Sequence, residues 1–216
     1  MDTVSFTLLE FFRMGGIIMW PLLVFSIAAI AISLERIVYL IYHNLQTEDL
    51  RERVSELLKK QDYFEAVSFL SSLTKRRMAA RIFLALLNRA HPEKGFSEQQ
   101  AERAAEIEAL NCINTLENGF TYLVAIGSIA PLLGFLGTVT GMIGAFRSIA
   151  EATEVNAQIV ASGIYEALIT TVFGLIIAII AMFFHSIFSY IVDKFASRIE
   201  GSCSQLIAQI SDQKET

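Results

Sequence analysis

Charge is scarce in this sequence. Asp, Glu, Lys and Arg make up 18% of 216 residues, and 54% are hydrophobic. Soluble domains average about 25% charged and about 45–50% apolar residues. The shortage excludes a disordered chain, which needs high charge and low hydrophobicity, and argues against a soluble two-domain enzyme. Two cysteines cannot build a disulfide scaffold. There is no Walker A loop, no nucleophile elbow, no dinucleotide fingerprint and no His/Cys metal spacing. Autonomous catalysis is therefore not expected, nor is a cofactor or a metal. The net charge of −5 gives no reason to expect a nucleic-acid partner.

The missing charge is concentrated in three runs that contain no Asp, Glu, Lys or Arg: residues 14–34, 118–146 and 167–192, which are 21, 29 and 26 residues long. A membrane-spanning helix needs about 20 predominantly apolar residues, so all three qualify. The first run is not a cleavable signal. Asp2, Glu10 and Arg13 precede it, and Leu34-Glu35-Arg36-Ile37 follows with no small-x-small site. The chain is expected to be an all-α membrane protein with three transmembrane helices, the second and third extended into a helical cytoplasmic domain. Of the 17 Lys and Arg, 15 lie in Arg36, the segment 43–117 and the tail beyond Val192. The positive-inside rule places those parts in the cytoplasm and the amino terminus outside. Both cysteines then face a reducing compartment as free thiols.

The expected organisation is an outer-surface amphipathic segment (1–16), a first transmembrane helix (17–42), a helical cytoplasmic loop (43–118), a second transmembrane helix (119–146), a short periplasmic loop (147–162), a third transmembrane helix (163–192) and a cytoplasmic helical tail (193–216). Within the loop, Thr47 before Glu48–Asp49, Asp62 with Glu65, and Ser97 with Gln100 read as helix starts. RMAARIFLALLNRA reads as a helix stopped by His91-Pro92. Ala101, Ala105, Ala109, Cys112, Leu116 and Phe120 share one helical face. The second span is therefore expected to continue that helix without a break from Glu98.

Two of the spans carry a stripe of small residues. In the second, AIGSIAPLLGFLGTVTGMIGAF, the stripe is Gly127, Pro131, Gly134, Thr138, Gly141 and Ala145, flanked by Gly137 and Gly144. In the third, Gly163, Ala167, Thr170 or Thr171, Gly174, Ala178, Ala181 and His185 share a face opposite Leu168, Val172, Leu175, Ile176, Ile179, Met182 and Phe183. Small residues let helices approach closely in lipid. Pro131 removes one backbone hydrogen bond that neighbours must make good. Such faces either pack together or line a narrow passage. Glu166 is the ionisable residue at the edge of the third span and a functional candidate on that ground. Thr138, Thr140, Thr170 and Thr171 supply hydroxyls.

Taken together, GGIIMWPLLVFSIAAIAISLERI, APLLGFLGTVTGMIGAF and EALITTVFGLIIAI resemble the MotA/TolQ/ExbB proton-channel family. The opening GGIIMWPLL and the short outer loop are closer to ExbB than to TolQ, and the cytoplasmic loop of about 75 residues is unlike MotA. The resemblance implies an inner-membrane motor component of a bacterial cell, a homopentamer enclosing single-span partners of the ExbD/TolR type that bring a protonatable aspartate. With that partner it would use the proton motive force to energise a TonB-like protein for outer-membrane transport. Carried over by motif, Thr138 and Thr171 are the pore hydroxyls. Thr170 is an extra one, and Glu166 is expected at the cytoplasmic end of the third span. Gly134, Gly137, Gly141, Gly144, Gly174 and Pro131 are the helix-packing residues. The alternatives are a TolQ-like envelope-integrity motor, another stator of the family, or a structural membrane scaffold.

Overall fold

The computed structural model describes residues 15–90, 97–151 and 157–215. Every regular element among them is a helix: α1 Met19–Tyr42, α2 Glu48–Lys59, α3 Tyr63–Leu73, α4 Met78–Arg89, α5 Glu98–Leu116, α6 Phe120–Glu151 and α7 Ala157–Glu215. Helices α1, α6 and α7 are each long and apolar enough to cross a membrane. Most of the expected outer-surface segment and the stop at His91-Pro92 fall outside the described residues.

The chain divides into two compact units, residues 1–34 with 119–186, and residues 35–118 with 187–216. In the second unit α2, α3, α4 and α5 pack each on the next, while α2 is hydrogen-bonded to the last part of α7 and α5 borders a groove with it. The core is Leu50, Val54, Leu57, Leu70, Ile82, Phe83, Leu86, Cys112, Leu116, Phe195 and Leu206, all buried. Helix α2 runs parallel to α7 in fixed register. Arg51 donates to the Gln205 side chain, Ser55 Oγ donates to Gln209 Oε1 at 2.6 Å, and Gln209 Nε2 donates to the Ser55 carbonyl at 2.9 Å.

The local starts and stops have physical causes. Asp62 caps α3 by accepting the Glu65 N–H at 3.1 Å. Thr47 and Ser97 occupy cap positions, yet neither side chain makes the capping hydrogen bond. Arg36, buried at 7% exposure, reaches the Thr115 and Leu116 carbonyls at the end of α5 at 3.3 and 3.5 Å. It satisfies acceptors that a helix terminus leaves open.

Two expectations require correction. The helix expected from Glu98 through the second span is broken: α5 ends at Leu116, and Gly119 has φ +90°, a left-handed conformation that glycine reaches without steric cost. Within α5, Ala101, Ala105, Cys112 and Leu116 of the expected face are buried, and Ala109 is half-buried. The expected loop at 147–162 is also largely helical, because α6 extends to Glu151 and α7 starts at Ala157.

Candidate functional site

Helices α6 and α7 run antiparallel in the first unit and meet through small residues. A Cβ built on Gly174 would lie 2.5 Å from the Ala130 carbonyl oxygen and 3.2 Å from Gly134 Cα. One on Gly134 would meet the Thr170 carbonyl oxygen at 2.9 Å and Thr171 Cα at 3.0 Å. One on Gly137 would overlap the Thr170 side chain, and one on Gly163 would sit 2.6 Å from Ala145 Cβ. Backbone therefore touches backbone along the contact. On α7, Ala167, Thr170, Gly174, Ala178 and Ala181 are buried, while Leu168, Val172, Ile179 and Phe183 on the opposite side are more than half exposed.

The hydroxyls divide into two kinds. Thr170, at 1% exposure, donates to the Ala167 carbonyl at 2.8 Å and approaches the Gly134 carbonyl at 3.3 Å. Thr171, half-buried, donates to the same Gly134 oxygen at 3.0 Å. A single α6 carbonyl thus holds two α7 threonines. Thr138 and Thr140 stay on their own helix, bonded to the Phe135 carbonyl at 2.6 Å and the Leu136 carbonyl at 3.0 Å. Threonine commonly satisfies itself this way in a helix. Thr138 is half-buried and Thr140 exposed.

Thr170, expected as a pore hydroxyl, is instead enclosed between two helices of one chain. Gly144, expected in helix packing, is exposed and has nothing within 4 Å of its Cβ position. The buried stripe of α6 is turned from the expected one. It carries Ile126, Ala130, Gly134, Gly137 and Ala145, with Pro131 and Thr138 at its edge. The sequence periodicity gives the small residues, but only the partner helix decides which side of the stripe faces it.

Glu166 also stands elsewhere than expected. Its carboxylate rests against Gly16, just before α1, so closely that a Cβ there would lie 1.9 Å from Oε1. Gly16 has φ +64°, so a side chain is excluded by conformation and by space. Glu166 lies near the start of α7, beside the start of α1 and the last turns of α6. It stands at the end of the helix pair away from Phe120, whereas the expected cytoplasmic end is the one where α6 begins. A cavity of about 420 Å³ opens there, lined by Glu166, Thr140, Ser148, Ser162, Gly141 and Ile18 among others. Its carboxylate and hydroxyls give a polar recess inside an otherwise apolar unit. His185, at the other end of the contact, packs edge-on against Phe120 with ring centroids 5.9 Å apart.

A backbone-close helix pair, threonines presented at its edge and a carboxylate at one end of it form the pattern quoted above from GTVTG and EALITT. The model of the MotA/TolQ/ExbB proton channel family matches residues 74–201, which include all of α6 and α7 as far as residue 201. The chain belongs to this family. The ExbB-like 1 biopolymer transport protein of Synechocystis is 35% identical over 81% of this chain and 68% of its own length. Biopolymer transport protein exbB1 of Vibrio cholerae is 29% identical over 86% and 80%. The Tol-Pal system protein TolQ of Haemophilus influenzae is 40% identical over 37% of this chain and 35% of its own. The Synechocystis and Vibrio relatives with ExbB names align along most of the chain and the TolQ relative along little more than a third, so the chain stands on the ExbB side of the family. As a family member it is a membrane subunit of the proton-channel, stator type.

Proposed function

We propose that this chain is the ExbB-type subunit of an inner-membrane motor, a homopentamer around single-span partners of the ExbD/TolR type. With the amino terminus periplasmic and the carboxyl terminus cytoplasmic, it uses the proton motive force to energise a TonB-like protein. The observation that carries the reading is that Thr138 on α6 and Thr171 on α7 are left at the edge of the helix contact rather than enclosed in it as Thr170 is. Both are half-buried within one chain, at the edge of a helix pair whose middle is closed by Gly134 and Gly174. A hydroxyl donates and accepts, so it can serve a carboxylate and a carboxylic acid alike. A ring of such hydroxyls suits a partner aspartate that changes protonation as it moves. One charge crossing 100 mV releases about 2.3 kcal/mol, enough to move the partner along a wall of small side chains. Glu166 and its polar recess stand at the outer end of this wall, where protons enter.

The test is co-purification with a single-span partner of the ExbD/TolR type, followed by mass measurement and an activity assay of Thr138→Val and Thr171→Val. Assembly at a five-subunit mass with activity lost in both variants is the expected result. Normal partner-dependent activity in both would move the reading to a structural scaffold.

A further inference from the structure

The second unit carries a groove with no occupant. It runs between α5 and the last part of α7 and encloses about 450 Å³. Ala109, Leu110 and Ile113 give it an apolar floor, and Glu102, Glu106 and Glu200 stand along it. All three acids are exposed, and none makes an ion pair among the described residues. Leu110 is 53% exposed and its neighbour Ile107 57% exposed, outside the three helices that, among the described residues, are long and apolar enough to cross a membrane. An apolar strip rimmed by charge marks an interaction surface.

The same unit carries the complementary charge on another side. Lys75 and Arg76, in the turn between α3 and α4, are exposed and make no ion pair among the described residues. The next residue, Arg77, is tied to Asp49 at 2.5 Å. This tie fixes the height of the turn. The α2–α7 pairs Arg51–Gln205 and Ser55–Gln209 share an offset of 154, so Asp49 stands level with Cys203. Cys203 lines the groove, together with Glu200 one turn away. The basic turn and the acidic groove therefore lie at one height along α7. The turn belongs to α3 and α4, and the groove to α5 and α7.

We propose that the groove receives the Lys75–Arg76 turn of a neighbouring copy, closing a head-to-tail ring in the cytoplasm. This rests on the homo-oligomer proposed above and adds to it which surfaces meet. The ring proposed turns about an axis along the last part of α7. It carries a side chain around the ring but not along α7, so only surfaces at matching height can meet. A heterologous contact of this kind closes when the rotation closes.

Two measurements on the full chain, purified in detergent, test it. A short bis-maleimide applied to an Arg76→Cys/Glu106→Cys variant made in a Cys112→Ala/Cys203→Ala chain is expected to give a ladder of linked copies ending at the ring mass. Either single variant is expected to give none. Charge reversal by Glu102→Lys/Glu106→Lys, or by Lys75→Glu/Arg76→Glu, is expected to lower the assembled fraction at fixed concentration several-fold. Combining the four changes is expected to restore it. Absence of the ladder with an intact ring overturns the docking and leaves the homo-oligomer standing. A monomeric wild-type chain overturns both. Loss of partner binding from the Glu102/Glu106 change alone, with the ring and the Lys75/Arg76 variant unaffected, assigns the groove to the partner and also overturns the docking.

Discussion

Gly174→Ala tests the closeness of α6 and α7 with a single methyl group. The added Cβ would stand 2.5 Å from the Ala130 carbonyl oxygen, 3.2 Å from Gly134 Cα and 3.3 Å from the Ala130 carbonyl carbon. A comfortable C···O contact is about 3.3–3.6 Å. The helices must therefore separate locally by roughly 0.8–1 Å, and every opposing atom is backbone that cannot rotate away. Overpacking of this kind costs about 1–3 kcal/mol. The Thr171–Gly134 hydrogen bond, now 3.0 Å, lies one turn away and stretches beyond useful range. Its loss adds about 0.6 kcal/mol, up to about 1.7. Gly201→Ala is the matched control. It makes the same change in the same helix with nothing within 4 Å, and the helix gains up to about 1 kcal/mol from alanine. The two variants should differ by roughly 2–5 kcal/mol in unfolding free energy in detergent micelles, with Gly201→Ala at or above wild type. Equal tolerance of the two alanines would refute the backbone contact.

Four further outcomes follow from named contacts. Gly16→Ala should perturb assembly more than Gly144→Ala, because it meets both a φ of +64° and the Glu166 carboxylate, whereas Gly144 has open space. Thermal melting of the two variants checks it. Arg36→Met keeps the apolar stem but strands the Thr115 and Leu116 carbonyls. It should cost about 1–3 kcal/mol and accelerate hydrogen exchange at the end of α5. Burial raises the Cys112 thiol to about 11 from the usual 9, so at pH 8 its thiolate fraction is roughly a hundredfold below that of a free cysteine. Maleimide labelling should be slow until the chain unfolds. Because the folded state holds that proton more tightly, its contribution to stability is complete below pH 9 and falls as pH rises through about 11. Glu166→Gln should preserve assembly and reduce ion-driven activity more than Glu151→Gln does, and matched-expression activity assays decide it.

Much of the fold was legible because the physics involved is local or one-dimensional. Lipid demands long charge-free runs, and the three runs became α1, α6 and α7. The capping chemistry of Asp62 and the alanine periodicity of α5 act within a few residues. What the sequence concealed depends on contacts between distant segments. Nothing near Thr170 says that its hydroxyl is enclosed by Gly134 while Thr171, one position on, remains at the edge. The break at Gly119 hides in a polar Glu117-Asn118-Gly119 triplet, where a glycine after polar residues was the available signal. The role of Arg36 was equally hidden: as a charge it reports orientation, and only the fold brings the end of α5 within its reach. The level of Glu166 was available from the alternation of the spans, since a residue near the start of the third cannot share a side with the start of the second.

The central claim is that Thr138 on α6 and Thr171 on α7 carry ion flow with a partner's carboxylate. Proton uptake into vesicles holding the purified complex measures it directly, comparing wild type with Thr138→Val/Thr171→Val at equal mass and subunit ratio. The account predicts an intact complex whose partner-dependent uptake falls to background. Wild-type uptake by an intact double variant would contradict it.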